Sequence, residues 1–189
     1  MISAILLAAG QSKRMEGENK LIKNIQGIPL IKHSVKNILA SSIDELIVVI
    51  GHQKETIKKI IDENEKIKFV FNKDFESGMA SSIKIGIKHL SKKTESFFIC
   101  LADMPMINKN IYNILIKSKS DHKIIVPIYK EQRGHPVLFP ISLKNEMMSI
   151  KGDIGAKEIL KINNDKILNI QINNQSINKD FNTKESFNF

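Results

Sequence analysis

The stretch that decides the fold is AILLAAGQSKRMEGENK, residues 4–20, which turns from apolar to polar at Gly10. The residues Ser3–Ala8 predict a buried β-strand, because a short apolar run that ends in small residues is typical of a parallel sheet. Small residues at the end of such a strand let backbone N–H groups approach a ligand closely. The polar part adds three side-chain donors, which are Ser12, Arg14 and Lys20. Two interpretations are open: an ordinary strand-to-helix corner, or a loop that holds the phosphates of a nucleotide.

Apolar runs of the strand type alternate with segments of helical period along most of the chain. The further predicted strands are Glu45–Ile50, Ile67–Phe71, Ser96–Leu101, Ile124–Pro127 and, where the alternation loosens, Val137–Phe139. Met79 begins a helical stripe and is interpreted as a core residue. The alternation predicts an α/β fold with three layers and a mostly parallel central sheet, which binds ligands at the carboxyl ends of its strands. The tail from Asn173 has weak periodicity, and we expect it to extend partly over the surface.

Length and composition favour one globular domain over residues 1–189. No apolar stretch reaches the ~18 residues that a membrane span needs, and the N-terminus lacks the layout of a secretory signal. Cys100 is the single cysteine and lies in an apolar run, so we expect a buried, inert thiol and no internal disulfide. These features predict a cytoplasmic protein without a membrane partner.

The formal net charge of +9 raises the hypothesis of nucleic-acid binding. All but two of the 29 basic residues are lysines, and they are spread along the chain without a basic block or interleaved aromatic residues. This pattern is typical of lysines on solvated helix faces, so no nucleic-acid partner is expected. The two exceptions, Arg14 and Arg133, stand in short glycine-containing segments, and arginine binds phosphate oxygens with a geometry that lysine cannot reproduce.

A carboxylate follows another predicted strand, in the segment Leu101-Ala102-Asp103-Met104-Pro105. Asp103 would lie at the ligand-binding edge of the sheet, where a carboxylate suits a hard cation such as Mg²⁺. The alternative is that Asp103 caps a helix predicted over residues 107–118.

Two further glycine-containing segments carry candidate residues. Asn72–Ser82 joins a strand to a helix, and a capped helix start is enough to explain its serines. QRGHPVLF, residues 132–139, contains His135, which could be a base or a metal ligand, or could cap a turn shaped by Gly134 and Pro136. No other histidine or cysteine lies at ligand spacing, so zinc is not expected. GDIGA, residues 152–156, follows it.

The string LLAAGQSKRMEGENK resembles the LAAGxSxRMGxxxK signature of the MobA-like nucleotidyltransferases. Together with Asp-Met-Pro, Gly-His-Pro and Gly-Asp-x-Gly-Ala in the same order, it is most similar to their MocA group, the molybdenum cofactor cytidylyltransferases. The resemblance implies a Rossmann-like nucleotidyltransferase fold whose first half, about residues 1–105, binds CTP and whose second half, about 106–189, binds the acceptor.

The resemblance also assigns roles to residues. It implies catalytic roles for Arg14, Lys20 and Asp103, with the arginine and the lysine neutralising the triphosphate. The nucleotide-binding residues it implies are Leu7, Ala8, Ala9, Gly10, Ser12, Arg14, Lys20, Gly78 and Ser82. The acceptor-binding residues it implies are Arg133, Gly134, His135, Pro136 and Asp153. Mg²⁺, with Mn²⁺ as a substitute, would bind Asp103 and Asn182.

Three positions depart from the family pattern. Glu16 stands where the family usually has glycine. In the C-terminal element Asp180 matches, but Asn182 replaces an aspartate and Lys184 replaces a proline. An amide oxygen still binds Mg²⁺ but without the charge, so weaker metal binding is expected there.

The reaction implied is transfer of CMP from CTP to the phosphate of molybdopterin, with release of pyrophosphate. The expected partners are the two substrates and a molybdenum hydroxylase that receives the product, and the chain is expected to be a monomer or a weak dimer. Two alternatives stay open: the same chemistry with GTP or a sugar-phosphate acceptor, and a catalytically silent accessory protein that binds the cofactor.

Overall fold

The computed structural model describes residues 1–12, 19–153 and 155–181. The strands are β1 (Ile2–Ala8), β2 (Asn24–Ile25), β3 (Ile28–Pro29), β4 (Glu45–Ile50), β5 (Ile67–Phe71), β6 (Ser96–Leu101), β7 (Ile124–Tyr129), β8 (Gln132–Arg133), β9 (Val137–Pro140) and β10 (Ile167–Gln171). The helices are α1 (Leu30–Leu39), α2 (Lys54–Ile60), α3 (Met79–Lys88), α4 (Lys109–Lys117), α5 (Lys144–Met147) and α6 (Lys157–Ile162).

The central sheet has the strand order β10-β7-β9-β6-β1-β4-β5, with β8 paired to β7 and a separate β2-β3 hairpin. Parallel pairs join β1 to β4 and β6, β4 to β5, and β10 to β7. Strand β9 lies antiparallel between β6 and β7. The sheet is therefore mostly parallel, as the alternation of strand and helix predicted.

Two apolar cores cover the two faces of the sheet. Alternate residues of β1 face opposite sides, so Leu6 belongs to the core under α1, α2 and α4, while Ile5 belongs to the core under α3, α5 and α6. Both residues are fully buried. The predicted three-layer α/β/α architecture is confirmed.

The C-terminal part of the chain differs from its prediction. Residues Ile167–Gln171 add a parallel edge strand, and the tail beyond them packs into the protein, because Ile177 and Phe181 are fully buried. These isolated apolar residues stand among polar ones and produce no periodic pattern. The tail from Asn173 to Phe181 therefore extends only partly over the surface, as expected, and is anchored in the core by Ile177 and Phe181.

None of the described helices is both long enough and apolar enough to cross a membrane. Four residues singled out from the sequence, Arg14, Glu16, Asn182 and Lys184, lie outside the described ranges.

Cys100 lies in the core, as predicted, near the C-terminal end of β6. Its side chain is 1% exposed, and burial raises the pKa of its thiol to about 12 despite a hydrogen bond with Tyr112. Only a thiolate attacks thiol reagents, so we expect the native protein not to react with such a reagent at pH 8. Absorbance of the released thiol product checks this, and full reaction in denaturant is the control. Rapid stoichiometric reaction of the folded protein would contradict this prediction.

Candidate active site

The described residues of the loop after β1 leave an open space beside Gly10. Gly10 is exposed, and a Cβ atom added there would meet no described heavy atom within 4 Å. Ser12 adopts a left-handed backbone with φ of 52°, and its hydroxyl accepts a hydrogen bond of 3.1 Å from the backbone N–H of Lys20. This bond joins the two described ends of the loop around the open space.

The side chain of Lys20 lies on the carboxylate that follows β6. Its Nζ atom is 2.5 Å from Oδ2 of Asp103, and the two side chains are only 16% and 17% exposed. Helix α4 is capped by Asn108, whose side chain accepts from the N–H groups of Asn110 and Ile111. Asp103 is therefore not a helix cap, and its carboxylate faces the ammonium group of Lys20.

Asp180 lies near this ion pair and lines the same cavity as Lys20 and Asp103. The N–H of Phe181 donates to the backbone carbonyl of Asp103 at 2.9 Å, which brings Asp180 beside Asp103. Within the described ranges, no group of three or more His, Cys, Asp or Glu side chains is arranged to hold a metal ion. Two hard carboxylates fit a cation such as Mg²⁺ that takes its remaining ligands from water and substrate phosphates.

The start of α3 is held by a distant carboxylate. Oδ1 of Asp153 accepts from the N–H of Met79 at 3.0 Å, and the N–H of Ala80 donates to the carbonyl of Gly152 at 3.0 Å. Gly78 has φ of 106° and lies against Gly152, which leaves no room for a Cβ atom. The predicted acceptor residue Asp153 is thus brought to the predicted nucleotide residue Gly78.

Two cavities open on this edge of the sheet. The first, here the loop cavity, measures about 750 Å³, and the second, here the His135 cavity, about 1060 Å³. The predicted residues that line the loop cavity are Leu7, Ala9, Gly10, Ser12, Lys20, Gly78, Ser82 and Asp103. The predicted residues that line the His135 cavity are Arg133, Gly134, His135 and Asp153. Among the described residues, five line both cavities: Met79, Leu101, Asp153, Lys157 and Asp180.

Ala8 and Pro136 are buried beside the site and are not among the residues that line the cavities. Met79 is 36% exposed, so its interpretation as a core residue was wrong. Sequence reasoning did not select Lys157, although it directly follows the Gly-Asp-x-Gly-Ala segment. That position next to a recognised motif is the signal that could have indicated it.

The surroundings of His135 in its cavity favour the neutral form of the imidazole. Burial lowers its pKa, and Lys157 acts in the same direction, while Asp103, Asp180 and a hydrogen bond with the backbone of Ile99 oppose the shift. The buried Nδ1 atom has no hydrogen-bond partner in the described part of the chain. At the mouth of the cavity, Arg133 is exposed and donates to the side chains of Asn164 and Asn169, at 3.0 and 3.2 Å.

The family model of the MobA-like NTP transferase domain matches residues 4–168 of this chain. The chain belongs to the MobA-like NTP transferase family.

Among curated relatives, a probable molybdenum cofactor guanylyltransferase of Methanosarcina acetivorans is 26% identical over 153 residues. The match covers 79% of this chain and 67% of that protein. A second probable molybdenum cofactor guanylyltransferase, from Methanosarcina mazei, is 27% identical over 139 residues, and that match covers only 61% of its length.

Solved structures share the fold of this MobA-like protein. Rv0371c of Mycobacterium tuberculosis H37Rv superimposes with a TM-score of 0.87 at 19% identity, over 98% of this chain and 94% of that one. A structure of Rv0371c in complex with manganese also superimposes on this chain, with a TM-score of 0.78 at 16% identity. That superposition covers 92% of this chain and 89% of the other. The 4-diphosphocytidyl-2C-methyl-D-erythritol synthase of Anaerococcus prevotii has a TM-score of 0.79 at 17% identity, over 99% of this chain and 92% of that one.

Replacing Gly10 by alanine tests whether the open space in this MobA-like site receives a ligand. The new methyl group meets no described atom, so we expect the free energy of unfolding to change by less than about 0.5 kcal/mol. Nucleotide affinity should fall by about tenfold or more, which corresponds to ~1.4 kcal/mol, because the methyl group blocks close approach to the backbone. Chemical denaturation and titration calorimetry measure the two quantities.

Gly51→Ala is the matched control for that substitution. A Cβ atom there would lie 2.7 Å from Cβ of Phe75 and 2.8 Å from Cβ of Ala9, so this variant should lose about 1–3 kcal/mol of stability. A Gly10→Ala variant that is equally destabilised, or that binds nucleotide normally, would contradict the interpretation.

The lowered pKa of His135 predicts that the protein loses stability in acid. Near and below pH 6.5, the ordinary pKa of histidine, the unfolded chain binds more protons at this position than the folded chain does. The contribution of His135 is therefore fully present above pH 6.5 and is lost as the pH falls below it. We expect His135→Gln to have a shallower decrease of Tm between pH 7 and pH 5 than the original protein, measured by scanning calorimetry. His122→Gln, at an exposed site, is the control, and identical slopes for His135→Gln and the original protein would contradict the prediction.

Proposed function

We propose that this protein transfers CMP from CTP to the terminal phosphate of molybdopterin and releases pyrophosphate. The observation that carries the proposal is the meeting of two cavities at a shared wall next to Asp103 and Lys20. A transferase of this kind must bind two anionic substrates with their reacting phosphates in contact, and two adjoining cavities provide that arrangement.

In this proposal the nucleotide occupies the loop cavity. Backbone N–H groups near Gly10 and the ammonium group of Lys20 bind the triphosphate, together with the guanidinium group of Arg14. The base lies toward Gly78 and Ser82 at the start of α3. Lys20 stabilises the charge that develops on the departing pyrophosphate, which is the electrostatic contribution that phosphoryl transfer needs most.

Asp103 and the neighbouring Asp180 would hold the metal ion, Mg²⁺ or Mn²⁺, and Asn182 is proposed as a further ligand. When bound, the ion supplies positive charge to the phosphate oxygens and fixes their orientation. The carboxylate of Asp103 already lies 2.5 Å from the ammonium group of Lys20, so a cationic group is stable at this position.

The acceptor occupies the His135 cavity in this proposal, with Arg133, Lys157 and Lys161 around it. An oxygen of its terminal phosphate attacks the α-phosphorus of CTP, and the bond from that phosphorus to the bridging oxygen of the pyrophosphate breaks. The attacking phosphate is already ionised at neutral pH, so the step needs no general base. A neutral His135 is consistent with a binding role for this side chain.

The choice of CTP rests on the Gly134-His135-Pro136 and Gly152–Ala156 segments, which resemble those of the cytidylyltransferase group. GTP is the second candidate, because the curated relatives are named guanylyltransferases. We further propose a single-domain cytoplasmic enzyme, monomeric or weakly dimeric, that passes its product to a molybdenum hydroxylase.

A nucleotide panel tests the proposal. Purified protein is incubated with Mg²⁺, molybdopterin and either CTP, GTP, UTP or ATP, and the product is identified by mass spectrometry. We expect the cytosine dinucleotide with CTP and at least tenfold less product with the other nucleotides. Asp103→Asn, which removes one charge at constant size, should lower kcat by about 100-fold or more.

The opposite results have definite meanings. Product with GTP but not with CTP would replace the cytidylyl assignment by the guanylyl one. Full activity of Asp103→Asn would show that catalysis does not depend on this carboxylate, and absence of product with every nucleotide would favour the accessory-protein alternative.

A further inference from the structure

A buried amide on the chain segment before α3 binds two neighbouring serines. Asn72 is 3% exposed, and its Nδ2 atom donates to Oγ of Ser81 at 2.8 Å and to Oγ of Ser82 at 3.0 Å. Its Oδ1 atom accepts from the backbone N–H of Asp74 at 3.1 Å. Because a backbone N–H can only donate, this bond fixes the oxygen end of the amide and directs the NH₂ group at the serines.

The two serines use their own hydroxyl hydrogens differently. The hydroxyl of Ser81 lies 2.8 Å from the carbonyl of Gly78 and 3.0 Å from the carbonyl of Asp74, so its hydrogen has protein acceptors. Ser82 also accepts from Asn72, but in the described part of the chain its hydroxyl hydrogen has no protein acceptor. Ser82 lines the loop cavity, whereas Asn72 and Ser81 do not.

We propose that Asn72 is a positioning residue that makes Ser82 a hydrogen-bond donor to the nucleotide base. A hydroxyl group has one hydrogen and two lone pairs. With Nδ2 of Asn72 donating to one lone pair, the hydrogen turns away from Asn72 and toward the cavity. The base atom that it meets is therefore an acceptor, a carbonyl oxygen or a ring nitrogen without hydrogen, such as O2 or N3 of cytosine. The inference rests on the proposed function, because it takes the ligand of the loop cavity to be a nucleotide.

The burial of Asn72 separates its role from direct contact with the substrate. Its side chain reaches the cavity only through Ser82. Its effect should therefore appear in nucleotide affinity and disappear when the hydroxyl of Ser82 is removed.

Asn72→Asp is the informative substitution, since it keeps the shape and the bond from the N–H of Asp74 but replaces a donor by an acceptor. The hydroxyl hydrogens of both serines then turn toward the carboxylate, and the cavity loses its donor. We expect the Kd for nucleotide to rise by about tenfold, with kcat at saturating nucleotide changed less than about twofold. Titration calorimetry gives the Kd without molybdopterin, and steady-state kinetics gives kcat.

A double-mutant cycle with Ser82→Ala decides whether Asn72 acts through Ser82. We expect Ser82→Ala to raise the Kd by about tenfold, and Asn72→Asp to add less than about twofold in the Ser82→Ala background. Ser81→Ala is the matched control, because Ser81 has the same bond from Asn72 but lies outside the cavity. It should change the Kd by less than about twofold. Thermal unfolding verifies that each variant is folded.

The outcomes separate this inference from the proposed function. Each titration is run with CTP and with GTP, and the cycle is evaluated with the nucleotide that binds more tightly. Preference for GTP would overturn the cytidylyl assignment while leaving the cycle informative. If Asn72→Asp and Ser82→Ala raised the Kd by independent factors that multiply in the double variant, the inference would be overturned while the nucleotide assignment stayed intact. A Ser81→Ala variant whose Kd rises as much as that of Ser82→Ala would have the same consequence. Absence of binding of either nucleotide would overturn both.

Discussion

Hydrogen bonding of β1 between β4 and β6 is the constraint on which the site depends. Leu7 is paired with Leu101 across the parallel strands, and the N–H of Ala102 donates to the carbonyl of Leu7 at 3.3 Å. This register brings the loop after β1 and Asp103 to the same point of the sheet edge. The ion pair between Lys20 and Asp103 then joins residues that are 83 positions apart in the chain.

The second half of the chain completes the site through contacts between loops. Asp153 holds the start of α3, and the backbone of Phe181 binds the carbonyl of Asp103. These contacts make the wall that the loop cavity and the His135 cavity share. The wall carries the carboxylates of Asp153 and Asp180 and the ammonium group of Lys157, so it combines one candidate metal ligand, Asp180, with a cationic side chain.

Much of the fold was predictable because buried parallel strands produce continuous apolar runs. The bounds of Glu45–Ile50, Ile67–Phe71 and Ser96–Leu101 agree with the structure. The edge strand Ile167–Gln171 was missed, because it is covered on less of its surface and its sequence alternates weakly. The sequence also could not show that β9 enters the sheet antiparallel between β6 and β7, since pairing between distant strands depends on packing of the whole sheet.

By itself, the sequence determined the α/β class, the buried thiol of Cys100 and the family to which the chain belongs. It also identified Lys20, Asp103 and Ser82 as candidates, because motif residues keep their order and spacing in the chain. Only the tertiary structure decided which candidates meet. It exposed Met79 to the cavities, placed Lys157 and Asp180 on the shared wall, and directed the amide of Asn72 at Ser82. The physical reason is that a local pattern records which residues are apolar or small, whereas a hydrogen bond or an ion pair between distant residues depends on the register and packing that bring their atoms together.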